Sequence, residues 1–214
     1  MRARLIGSFV GKSAARAEAE LVRQENLAIS EGLKRNDAGL LDQLIVRYQH
    51  RLLRYLLYLT GNRELAEDLF QEVWMRVLVR GGQFNGQSRF ETWLFTIARN
   101  LLIDLRRKRT MSSLDELFEV GGADDRPVPI EITDTDPTPF EHFSKLEDRE
   151  RVAAALLDLD GLHREVLVLR FHEEMSLEEI AKMTRAPLST VKSRLYRGLA
   201  IIRPRLEAGA AEAV

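Results

Sequence analysis

Apolar residues recur along most of this chain at intervals of three and four, and nowhere do they alternate in the two-residue rhythm of a strand, so the fold class reads as all-α. From Asp37 to Thr60, the positions Leu41, Leu44, Ile45, Tyr48, Leu52, Tyr55, Leu56 and Leu59 form one stripe, and Gly61 follows as a stop. Asn62 is placed to cap a second helix with the stripe Leu65, Leu69, Val73 and Val77, which ends at Gly81-Gly82. After the loop GGQFNGQ, Ser88 and Glu91 form an S-x-x-E capping signature ahead of Phe90, Trp93, Leu94, Ile97, Ala98, Leu101 and Leu105. Residues 1 to 30, rich in Ala, Arg and Glu, carry no clear core stripe and read as a disordered arm or a loose helix.

Between Thr110 and Pro139 the helical rhythm lapses, and four of the six prolines and a glycine pair fall there, the mark of a linker rather than a packed core. The rhythm returns after Phe140, with Val152, Leu156 and Leu159 in one helix and Leu162, Val166 and Leu169 in the next. Ser176 and Glu179 repeat the capping signature before Leu177, Ile180 and Ala181, a break follows at Thr184 to Pro187, and Leu188, Val191, Leu195, Leu199 and Ile202 form a last stripe. Two short amphipathic helices meeting at a tight break predict a helix-turn-helix whose second helix turns Ser189, Thr190, Ser193, Arg194 and Arg197 away from the core.

Charge sharpens this reading. The formal net charge is only −1, but it is strongly segregated. From Arg185 to Arg205 the cations Arg185, Lys192, Arg194, Arg197, Arg203 and Arg205 are interrupted by no acid, while from Ser113 to Glu150 twelve carboxylates outnumber Arg126, Lys145 and Arg149. Hydroxyls and arginines on one helix face suit phosphate oxygens and base edges; the same pattern also describes a solvated basic helix in an ordinary bundle. With 214 residues, the chain has room for two small cores joined by a linker. The absence of cysteine excludes disulfides and thiolate metal sites, and His50, His142, His163 and His172 share no ligand spacing, so no metal or other cofactor is expected. No apolar run approaches the roughly 20 residues that span a bilayer, and the start lacks a convincing signal peptide, so no membrane insertion and a cytoplasmic location are expected.

The segments REVLVLRF, MSLEEIAKM and PLSTVKSRLYRGL resemble the promoter-binding carboxy-terminal domain of bacterial RNA polymerase sigma factors. Independently, AEDLFQEVWMRV and RFETWLFTIARNLLIDLRRKR resemble the amino-terminal core domain of the extracytoplasmic-function (ECF) group of the sigma-70 family. The resemblance implies an arm at 1–30, a region 2 helical bundle at 31–109, a flexible acidic linker at 110–139, a region 4 helix-turn-helix domain at 140–206 and a tail at 207–214. It implies a non-enzymatic specificity subunit whose partners are core RNA polymerase, through the β′ clamp helices and the β flap, and promoter DNA, with an anti-sigma factor as a further partner. Where the family often has glycine before the short helix and in the turn, this chain has Glu174 and Arg185, which tolerate positive φ less readily. Trp74 stands where a smaller aromatic is frequent in the family.

On the second helix Asp68, Gln71, Glu72 and Met75 lie at i, i+3, i+4 and i+7, opposite the apolar stripe. By spacing alone this is a solvated face; the resemblance makes it the surface that grips the polymerase. Glu67 and Asp68, adjacent on a helix, face different directions and make a poor metal pair. On the third helix Arg99, Asn100, Arg106, Arg107 and Lys108 lie off the core stripe, where they can hold phosphates and, through Asn100, a base edge. The resemblance assigns Phe84, Asn85 and Gln87 to a loop that holds an unstacked base of the minus-ten element, with core packing an equal alternative for Phe84. It assigns Ser189, Thr190, Lys192, Ser193, Arg194 and Arg197 to the minus-35 element. No residue is assigned a catalytic role. Two rivals differ in kind: a helix-turn-helix repressor or activator with an unrelated helical sensor domain, and a Mg²⁺-dependent nucleic-acid-processing enzyme built on the acidic helix.

Overall fold

The computed structural model describes residues 3–115 and 151–211, and every element in them is helical: α1 (Ala3–Lys34), α2 (Ala38–Thr60), α3 (Arg63–Arg80), a 3-10 turn (Gly81–Gln83), α4 (Phe90–Asp115), α5 (151–157), α6 (Gly161–Phe171), α7 (Leu177–Thr184) and α8 (Leu188–Ala211). The expected linker lies outside the described residues apart from 110–115, which continue α4. Local sequence sets most of the boundaries. The Asp37 carboxylate accepts from the Leu40 amide at the start of α2, and Gly61, at φ 66°, closes its end by donating to the Leu57 carbonyl. The Asn62 side chain then accepts from the Leu65 amide and starts α3. Each such cap satisfies a backbone group that a helix end leaves unpaired.

The first four helices enclose a core in which Leu52, Tyr55, Leu56, Val73, Leu94 and Phe95 are fully or almost fully buried. Two sequence expectations need correction here. The segment read as a disordered arm or a loose helix is part of the long helix α1, and Asn26, Ile29, Ser30 and Leu33 are buried on one of its faces. These four positions are spaced i, i+3, i+4 and i+7, a helical stripe concealed by its two polar members. The capping signature at Ser88 is not used as expected: α4 begins at Phe90, and the Glu91 carboxylate pairs with Arg51 and Arg89.

In the carboxy-terminal half, the Asp160 carboxylate accepts from the Leu162 and His163 amides to start α6. The capping box at Ser176 and Glu179 forms in both directions and starts α7. Arg185 ends α7 in the left-handed region (φ 53°, ψ 34°), and Glu174 enters the preceding turn at φ 54°. The two positions where the family often has glycine therefore adopt the conformation that glycine favours, with side chains present. Gly198 lets α8 lie close to α6, since a Cβ there would stand 3.1 Å from the Leu167 side chain.

The two halves pack against each other, and their buried residues belong to one hydrophobic cluster. Tyr58 of α2 stacks on His172, with ring centroids 4.7 Å apart, which accounts for its burial outside the expected stripe. The Arg164 guanidinium donates to the Tyr58 carbonyl at 3.2 Å. Ion pairs cross the same boundary, among them Arg51 to Glu173 at 2.9 Å, Arg99 to Glu165 at 2.7 Å and Arg89 to Glu179 at 3.7 Å.

Candidate nucleic-acid interface

The α7–turn–α8 unit has the geometry of a groove reader. Val191, Leu195 and Ile202 are buried, which fixes the roll of α8 and leaves Ser189, Lys192, Ser193 and Arg197 exposed, with Thr190 and Arg194 half-buried. Ser189, Thr190, Ser193, Arg194 and Arg197 line one groove of about 390 Å³, with Leu162 and His163 of α6 on its opposite wall. Sequence periodicity missed these two residues of α6. Their clue was their position at the start of α6, where Asp160 caps the Leu162 and His163 amides and also pairs with the His163 ring.

In the amino-terminal half, the loop after α3 folds back over α1. Phe84 is 1% exposed and packs on Phe90 and Trp93, with centroids 5.5 and 5.4 Å away, so its ring belongs to the core in this arrangement. Asn85 and Gln87 are exposed, and the Asn85 side chain accepts from the Gln87 amide at 3.0 Å. Between them Gly86 is buried at φ 72°, and a Cβ there would stand 3.1 Å from the Asn26 carbonyl oxygen. The turn therefore requires glycine both for its dihedral and for its close contact with α1.

The basic face of α4 is divided. Asn100, Arg106, Arg107 and Lys108 are exposed, although Arg106 donates to the Leu59 carbonyl at 2.9 Å and Arg107 lies 3.6 Å from Asp104. The Arg99 side chain is only 13% exposed and its guanidinium is held by Glu165, itself 8% exposed, so in this arrangement it faces α6 rather than a ligand. Nearby, Glu173 is buried enough for desolvation to outweigh the attraction of Arg51, and its carboxyl is pushed up to about 7.

On α3, Asp68, Gln71, Glu72 and Met75 are all exposed, on the side away from buried Leu69, Val73 and Val77. Leu78 and Val79 extend this face; Val79 is 77% exposed, an uncommon placement for an aliphatic side chain on a packed bundle. The sequence reading stopped at Met75. Trp74 is buried in the core beside Phe70, with ring centroids 6.3 Å apart.

Two family descriptions match this chain: Sigma-70 region 2 over residues 44–111 and Sigma-70, region 4 over residues 155–203. The ECF RNA polymerase sigma factor SigW of Bacillus subtilis (strain 168) is 31% identical over 175 residues, covering 81% of this chain and 92% of SigW. The chain belongs to the ECF group of RNA polymerase sigma factors. SigX of the same organism is 33% identical over 160 residues, covering 75% of this sigma factor and 80% of SigX. Among solved structures, CnrH in complex with the cytosolic domain of CnrY aligns with a TM-score of 0.60 at 21% identity, covering 86% of this sigma factor and 97% of that chain. The sigma factor RpoE in complex with the anti-sigma factor NepR from Bartonella quintana aligns with a TM-score of 0.59 at 24% identity, covering 78% and 96%. These two likenesses establish the fold. Sigma factors are not enzymes: they associate with core RNA polymerase and direct promoter-specific initiation, and this chain carries both of the regions that do so. Among the described residues, no helix is long and apolar enough to cross a membrane.

Proposed function

We propose that this sigma factor reads the minus-35 element with α8 and captures the minus-ten element with the Phe84–Gln87 loop and α4, while α3 grips the polymerase. The groove beside α8 carries this reading: one face gathers three hydroxyls and two guanidiniums over a buried stripe, the donor set that suits phosphates and guanine edges. Lys192 extends it toward the phosphate backbone. At the other element, Asn85 and Gln87 offer amides to an extruded base, and Asn100, Arg106, Arg107 and Lys108 hold the strand. Phe84 supports the loop from the core. Opening the duplex costs a few kcal/mol per step, which capture of the base offsets. Arg99 joins the strand-binding face once Glu165 releases it.

Asp68, Gln71, Glu72, Met75 and the adjoining Leu78 and Val79 form the surface for the β′ clamp helices, and region 4 meets the β flap. The acidic linker follows the basic RNA path of the polymerase, a fit of polyanion to polycation. The two aligned sigma factors were solved with the anti-sigma factor NepR and with the cytosolic domain of CnrY, and this chain takes a partner of the same kind. Its place of action is the cytoplasm. The test is run-off transcription from genomic fragments with purified core polymerase, with and without this chain. Promoter-specific transcripts only in its presence support the reading. Duplex binding without polymerase, or metal-dependent cleavage by the chain alone, would replace it.

A further inference from the structure

The loop proposed to capture a base is held at both ends by one helix, and that helix was not expected to have any role. The Asn26 side chain, 6% exposed, accepts from the Phe90 amide at 2.8 Å, and its own amide donates to the Val22 carbonyl at 2.7 Å. One turn along α1, the Ser30 hydroxyl, 2% exposed, donates to the Phe84 carbonyl at 2.6 Å. Between these two anchors the buried Gly86 rests on the backbone of Asn26 and on the Leu27 side chain. The residues left to project, Asn85 and Gln87, belong to a loop whose entry, middle and exit are all tied to residues 26–30. Buried side-chain hydrogen bonds 54 and 64 residues apart in sequence are demanding: loss of either partner strands the other away from water.

We infer that Asn26 and Ser30 are positioning residues for minus-ten recognition. They hold the loop in its capture geometry before DNA arrives, so that a base is read by a preformed surface rather than by a loop that must be ordered on binding. The Asn26 acceptor also fixes where α4 begins, and with it the register of Asn100 against the loop. This inference rests on the proposed role of the loop and extends it to a helix that never touches the base.

The experiment uses holoenzyme reconstituted with the full chain and a promoter recovered from the run-off assay. That promoter is prepared as a fork, with upstream duplex and a single-stranded minus-ten segment, alongside a fork in which the minus-ten bases are replaced. The readout is the ratio of the two affinities, together with affinity for core polymerase and thermal stability. Asn26→Ala is expected to lower the discrimination ratio about ten-fold, the scale set by stranding one buried donor, while core binding is retained. Asn26→Asp, which keeps the acceptor for the Phe90 amide but sets its second carboxylate oxygen against the Val22 carbonyl, recovers only part of the ratio. Ser30→Ala, which removes the smaller contact, lowers it in the same direction and serves if Asn26→Ala fails to fold. If Asn26→Ala and Ser30→Ala reduce thermal stability but leave the ratio intact, while Asn85→Ala or Gln87→Ala abolishes it, the helix is merely structural and the inference is overturned. If Asn85→Ala and Gln87→Ala also leave the ratio intact, the base-capture reading falls, and the inference falls with it.

Discussion

Glu174 and Arg185 sit at the two ends of α7 with φ of 54° and 53°, and replacing each with glycine should stabilise the protein. A left-handed conformation costs an L-residue about 1–2 kcal/mol through the contact of its Cβ with the following carbonyl. Glycine avoids that contact but loses about 0.5–1 kcal/mol more backbone entropy on folding, so the net gain is about 0.5–1 kcal/mol per site. The backbone bonds at the turn are kept: the amide of residue 185 still reaches the Ala181 and Lys182 carbonyls. Both side chains are exposed, so no packing is lost. If the sites are independent, the double variant gains about 1–2 kcal/mol, an upward shift in Tm of several degrees for a protein of this size. Circular dichroism melts of the two single variants and the double variant measure it, and a fall in Tm for Glu174→Gly, which removes no cation, would refute the strain argument. Arg185→Gly separates stability from function, because loss of a phosphate contact would lower promoter affinity and reduce the salt slope by about one even as Tm rises.

Charge reversal at Asp68 and Glu72 should abolish capture of core polymerase while the far-ultraviolet dichroism stays unchanged, since both side chains are exposed; binding at the wild-type level by the folded variant would displace the interface. Arg194→Ala and Arg197→Ala should each weaken holoenzyme binding to the upstream element by about 1–3 kcal/mol where the arginine makes a bidentate base contact, and uniformly across sequences where it holds a phosphate, as competition with element-substituted duplexes would reveal. Replacing Asn85 and Gln87 with serine, which leaves Phe84 in the core and Gly86 in its turn, should spare the closed complex and diminish the permanganate reactivity of minus-ten thymines, and undiminished reactivity would refute base capture. Glu173 has a folded-state pKa of about 7 against an ordinary 4.5, so its contribution to the packing of the two halves is fully present below pH 4.5 and is lost as pH rises through 7. Stability should therefore decline between pH 5 and 8 by up to about 3 kcal/mol, and Glu173→Gln should flatten that decline in urea titrations.

The helices with local caps were legible. Asn62 and the Ser176–Glu179 pair act within three residues of themselves, and each does what its spacing implies. Ser88 and Glu91 have the same spacing, but Arg51 and Arg89 claim Glu91, while Asn26 satisfies the Phe90 amide from 64 residues away. A local signature cannot register that competition. The packed face of α1 escaped notice because half of its contact stripe is polar, and a count of apolar positions discards Asn26 and Ser30, the residues that matter most there. The outward face of α8 followed directly from its stripe, whereas the contribution of Leu162 and His163 to the same groove depends on how α6 crosses α8, which no single-helix period encodes.

The ion pairs between the two halves acquire a different meaning when measured along a promoter. Elements centred near −35 and −10 lie about 25 base pairs apart, or about 85 Å at 3.4 Å per pair. A compact chain of this length has a radius of gyration of about 17 Å, and so a breadth of roughly 45 Å. While Arg99 holds Glu165 and Arg51 holds Glu173, the molecule is too short to touch both elements at once. Reaching the second element means parting the halves and uncovering Arg99 on the face proposed to meet the strand. Separation returns both members of each pair to water, so what resists it is the apolar surface the two halves share, and it must be driven by a surface that takes up these exposed groups. Polymerase and promoter together would supply that surface, making the folded-up chain a ruler that reaches working length only on its template.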